Sequence, residues 1–106
     1  MCDFQVLFQD GSGYVIKCLS CKCLKMAFGN VVFQMNEIDL VNLCESAGNR
    51  IVVHAADSDL RTRKIYLTIP GNKIEMVFNI EELKLFNHIL TESYRQNEIN
   101  KLMQSI

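Results

Sequence analysis

Apolar and polar positions alternate with a period of two through much of the first 35 residues, and again from Ile65 to Phe78. That period marks strands with one buried face. Leu24, Met26 and Phe28 alternate with Lys25 and Ala27 up to Gly29-Asn30, and Val31, Phe33 and Met35 alternate with Val32 and Gln34 beyond it. A two-residue loop there pairs Phe28 with Val31, Met26 with Phe33 and Leu24 with Met35, which puts all these apolar side chains on one face. Around Gly71-Asn72 the same reasoning pairs Ile69 with Ile74, Leu67 with Met76 and Ile65 with Phe78. Near the start, Phe4, Val6 and Phe8 face Tyr14, Ile16 and Cys18 across Gly11, Ser12 and Gly13. A three-residue loop with Gly13 left-handed pairs Phe8 with Ile16 and Val6 with Cys18.

Each of the later two hairpins runs into a helix signal. Asn36 with Asp39 three positions on reads as a capped helix start, and the helix is expected to reach Ala47 with Gly48 as the residue that ends it. Arg50 to Ala55 reads as a short strand, and Asp57 to Arg63, without periodicity, as an exposed loop. Asn79 with Glu82 opens a second helix carrying two apolar stripes, Leu83-Phe86-Leu90-Tyr94 and Leu85-Ile89-Ile99-Met103. Hairpin, Gly-Asn turn, Asn cap and acid at N3 thus occur twice. Neither unit can bury its apolar face alone, so the expected fold is α+β: an antiparallel sheet of β-hairpins with two helices on one face. In outline, residues 1–106 form one domain with an N-terminal hairpin and cysteine knuckle (1–23), a first ββα unit (24–48) and a second (50–104). The first helix ends too early to cover Ile99, Leu102, Met103 and Ile106, so a homodimer or a partner protein is expected to meet that tail.

Composition narrows the function. The chain has 106 residues, about half of them apolar, and a net charge of −1, so no global field draws it to nucleic acid or anionic lipid. The cluster Arg61, Arg63, Lys64 and Lys73, with Lys17, Lys22 and Lys25, supports at most weak phosphate contact and offers no base-reading element. No apolar run approaches the roughly 20 residues of a membrane span, and the start lacks the pattern of a signal peptide. The expected location is cytoplasmic, where thiols stay reduced and five cysteines point to metal or thiol chemistry instead of disulfides.

The cysteines concentrate in CLSCKC, residues 18 to 23. Cys18-x-x-Cys21 has the spacing at which a tight turn aims two thiolates at one tetrahedral ion. The register expected for the first hairpin brings Cys2 opposite this turn. Zinc is therefore the expected ion, held by Cys18 and Cys21 with Cys2, Cys23 or His54 completing the set. An iron–sulfur cluster would also take cysteines, but none of the usual ferredoxin spacings occurs. A thiol oxidoreductase or metal-transfer protein working through Cys18 and Cys21 is the alternative, although such pairs are activated at a helix N-terminus and here both flanks read as strand. Cys44 sits at helical apolar spacing as a small core residue. Without a nucleophile–base pair, a P-loop or a dinucleotide motif, the sequence points to a non-enzymatic interaction or regulatory protein with a structural zinc.

At Cys18-x-x-Cys21 followed by Ala27-Phe28-Gly29-Asn30, the chain resembles a family of small bacterial proteins of unknown function. The likeness extends over most of the length, including Met1-Cys2 and the acidic second helix. It implies a stand-alone cysteine-motif protein and carries no activity with it. Cys23 and Cys44 lie outside the family's pattern, which favours Cys2, Cys18 and Cys21 as the ligand set.

Overall fold

Gly29 is where the central hairpin turns. Its φ of 61° is open to glycine at little cost, and Asn30 keeps a negative φ, as in a Gly-X two-residue loop. A computed structural model, which describes residues 3–71 and 73–104, shows β3 (Leu24–Phe28) and β4 (Val31–Met35) paired about this turn. Leu24 faces Met35, Met26 faces Phe33 and Phe28 faces Val31, the register that the alternation predicts. β5 (Ile65–Ile69) and β6 (Ile74–Phe78) likewise pair Ile65 with Phe78, Leu67 with Met76 and Ile69 with Ile74.

Both helices start as their caps dictate. Before α1 (Glu37–Val53), Asn36 Oδ1 accepts from Asp39 N–H at 2.7 Å and Asp39 Oδ2 accepts from Asn36 N–H at 3.3 Å. Before α2 (Ile80–Gln104), Asn79 Oδ1 accepts from Glu82 N–H at 2.8 Å and Glu82 Oε1 accepts from Asn79 N–H at 2.9 Å. Each box satisfies backbone donors that the first helical turn leaves without partners.

The architecture is α+β. β1 (Phe4–Asp10) and β2 (Gly13–Cys18) do not form a separate appendage; they join β3 and β4 in a four-stranded antiparallel sheet of order β1-β2-β3-β4. β5 and β6 form a sheet of their own. Inward side chains of both sheets and both helices make one core cluster, where Phe78 and Phe86, with the partly buried Phe28 against them, meet tilted or edge-on with centroids 4.9–6.0 Å apart. α2 packs on α1, β1 and β2, so the last helix closes over the first two strands.

Three expectations change. First, β1 and β2 are offset by two residues from the expected register: Phe4 faces Cys18, Val6 faces Ile16, and a bulge at Leu7 turns Phe8 to Val15. Leu7, Val15 and Lys17 point inward, leaving Phe4 58% and Val6 54% exposed. The cause is Lys17. Its ammonium is buried and bonds Asn97 Oδ1 and Glu37 Oε1, both at 2.9 Å, so the face that looks polar in the sequence is the inner one. Second, residues 50–53, expected to begin a strand, continue α1. Gly48 does not adopt a positive φ, so nothing stops the helix there, and Ile51 extends the buried line Leu40, Leu43, Ala47. Third, the buried stripe of α2 is Leu83, Phe86, Leu90, Ser93 and Asn97, a regular 3,4 spacing, while Leu85 and Tyr94 are about 40% exposed. Ser93 fits because its hydroxyl donates to Ile89 O at 2.7 Å; Asn97 fits because it receives Lys17.

Candidate metal centre: the cysteine turn

β2 ends and β3 begins on either side of a tight loop. Cys18 N–H donates to Cys23 O and Lys22 N–H donates to Cys18 O, both at 2.9 Å, closing the loop from its two ends. Lys22 takes the left-handed conformation, φ 64°, which lets the chain double back after Cys21. The edge of the sheet continues into this loop, since Leu19 N–H donates to Asp3 O at 2.8 Å.

Cys18, Cys21 and Cys23 line one depression of about 180 Å³ together with Phe4, Lys25 and Gln34. Cys18 is buried, Cys21 exposed and Cys23 between the two. Cys21 N–H points at Cys18 Sγ, 3.4 Å away. A backbone N–H on sulfur favours the thiolate over the thiol. Cys23 Sγ sits 3.7 Å from both Leu24 O and Met35 O and 3.8 Å from Gln34 Oε1, so as a thiol it has carbonyl acceptors to donate to. On the other side of the loop, Cys21, Lys22 and Cys23 border a second depression with Asn36, Glu37 and Ile38 at the start of α1.

The proposed ligands are therefore only partly brought together. Cys18, Cys21 and Cys23 share a depression, yet among the described residues no group of three or more His, Cys, Asp or Glu side chains is gathered closely enough to hold a metal ion. Cys2 lies outside the described residues. His54 caps the far end of α1, roughly 25 Å of helix away from the cysteine turn, and its Nδ1 is held 2.7 Å from Asp57 Oδ2. Cys44 is half-buried in α1, and burial pushes its thiol up to about 11, which makes it a poor nucleophile or ligand.

The basic positions are mostly committed elsewhere. Arg63 forms a two-pronged pair with Glu82, which holds that carboxyl below its usual range, and Lys64 lies 3.6 Å from Asp57. Lys17 is inside the protein. What the sequence reading missed is the set Lys17–Glu37–Lys101: Glu37 takes Lys17 on one oxygen and Lys101 on the other, and these cations pull its carboxyl down to about 2. Only the odd position of a lysine in an otherwise apolar strand, and of Asn97 in a heptad-spaced stripe, signals it.

No described helix is long and apolar enough to cross a membrane. No curated protein and no solved structure matches the chain. A turn-borne cysteine pair followed by the Ala27–Asn30 hairpin is the feature on which family membership was expected, and residues 1–105 match the family described as Family of unknown function (DUF6686), to which this chain belongs.

Proposed function

We propose that this is a non-enzymatic interaction or regulatory protein whose cysteine turn holds a thiophilic metal ion, zinc by the chemistry of its donors, in a structural role. The observation that carries the reading is the Cys21 N–H directed at Cys18 Sγ within a loop reversed by left-handed Lys22. A turn of this kind neutralises part of the charge on a bound thiolate and presents the second sulfur beside the first. Cys18 and Cys21 supply two ligands. Cys23, by leaving its carbonyl acceptors, and Cys2 supply the others. When bound, zinc would cross-link the β2–β3 loop and contribute folding energy directly.

Elemental analysis of protein purified without chelator tests this. One zinc per chain is expected, and its removal should lower the melting temperature by several degrees. Serine at Cys18 or Cys21 should abolish binding, and at Cys23 weaken it. Metal-free protein with unchanged melting in a strong chelator would overturn the reading.

The redox alternative works through Cys18, which ends β2 and is buried, and Cys21, which is exposed in the loop that follows. Fast alkylation of one of these two thiols at neutral pH would favour that alternative, and slow, equal labelling of both in metal-free protein counts against it. For the interaction role, Leu102 and Met103 are 67% and 68% exposed and Ile99 38%; Ile106 lies outside the described residues. This end of α2 is the proposed contact with a partner protein. Leu102→Glu, which spares Asn97 and Lys101, should weaken such a contact without unfolding the chain.

A further inference from the structure

The register of the four-stranded sheet leaves its outer face apolar. Val15 and Lys17 point inward, so Tyr14 and Ile16 point outward; Phe4 and Val6 share their side through the pairs Phe4–Cys18 and Val6–Ile16. Across β3 and β4 the pairs Tyr14–Ala27 and Ala27–Val32 continue the same face. Phe4, Val6 and Val32 are each more than half exposed, and Tyr14, Ile16 and Ala27 are half-buried. Gln9, opposite Tyr14, and Gln34, opposite Lys25, are the uncharged polar side chains on this face; Lys25 is the charged one, and it stands at the end nearest the cysteine turn. The buried residues of both helices belong to the inner cluster, so neither helix covers this surface.

We propose that the outer face of β1–β4 is a self-association surface whose occupant is the same face of a second copy. Three considerations select a second copy. Strands about 4.8 Å apart and about five residues long give a face of roughly 300 Å² in plan. Because side chains stand above that plane, packing two copies face to face removes on the order of 1,000 Å² from water, the lower bound for a specific interface. A flat sheet is best covered by another flat sheet at about 10 Å, with side chains interdigitating. Charge points the same way: a partner rich in acids or bases would bury them opposite Phe4, Val6 and Val32 unpaired, whereas a second copy brings the same nearly uncharged surface. In a two-fold arrangement with strands opposed, each Lys25 meets the partner's Asp10–Gly13 end, so the two ammonium groups stay apart. The inference needs neither the metal nor the α2 tail.

Sedimentation velocity over concentration is the test, read beside the circular dichroism of each protein. The intact chain should pass from monomer to dimer between about 1 and 100 μM, the range of a small, weak interface. Val6→Glu and Val32→Glu, at exposed positions, should each raise the dissociation constant at least tenfold with an unchanged spectrum. Leu102→Glu should leave it unaltered. As a measurement without variants, amide resonances that shift with concentration should map to Phe4, Val6, Ile16 and Val32. A monomer throughout that range overturns the proposal. So does a dimer indifferent to Val6→Glu and Val32→Glu but lost on Leu102→Glu, and that result would locate self-association at the end of α2.

Discussion

Removing one member of the Lys17–Glu37–Lys101 set does not have the same effect at each position. Glu37→Gln leaves the Lys17 ammonium, only 7% exposed, without a counter-charge, a change that costs about 2–4 kcal/mol at sites of this kind. Lys17→Met made together with Asn97→Leu keeps the apolar stem, removes the buried acceptor along with its donor and leaves Glu37, which is 30% exposed, with Lys101 and solvent, so about 1 kcal/mol or less is expected of this double variant. Urea unfolding of the two variants checks this asymmetry, and equal losses would contradict it. The same carboxyl sets a pH response. Lys101 and Lys17 lower it in the folded protein from an ordinary 4.5 to about 2. Its contribution is therefore complete above 4.5 and is lost as pH falls from there towards 2. Glu37→Gln should flatten that part of the stability–pH profile and leave the neutral-to-alkaline part parallel to the parent.

Glycines test where the elements end. Gly48 lies inside α1 with open space where a Cβ would be added, and an interior glycine weakens a helix by about 0.5–1 kcal/mol relative to alanine. Gly48→Ala should stabilise the protein by that amount; a helix ending at Gly48 would show the opposite. Gly13 faces Phe28 across the β2–β3 ladder, and an added Cβ would overlap the Ala27 carbonyl oxygen. Gly13→Ala should destabilise by about 2 kcal/mol or more, since backbone must shift to admit it, whereas Gly11→Ala, facing open space, should change little. Thermal melts of the three variants rank them directly. The elements legible in the sequence are those where pattern and turn chemistry agree, β3–β4 and β5–β6 with their Asn caps. Reading failed where a polar residue does an apolar residue's job: Lys17 inverted the face of β2, and Ser93 and Asn97 hid the stripe of α2. Of the cysteine turn, the loop was legible from spacing, and Cys18, Cys21 and Cys23 do line one depression. Cys2, expected opposite it, lies outside the described residues.

At the scale of the whole molecule, 47 × 26 × 25 Å, the long axis is consistent with the roughly 37 Å length of α2. That helix bonds the four-stranded sheet through Asn97 to Lys17 and α1 through Lys101 to Glu37, beside the direct pair Lys17–Glu37. Lys17 and Asn97 are 80 positions apart. On a ribosome, the meander of β1–β4 is therefore synthesised well before the side chains that complete its inner surface. At about 5–20 residues per second the interval is several seconds, during which Leu7, Val15 and Phe28 lack the helix that packs on them. An arrested nascent chain ending before α2 should thus stay sensitive to protease within β1–β4, and protection should appear only once Asn97 has emerged. The protein is one whose earliest strands depend on its last helix, so its most vulnerable moment precedes its completion.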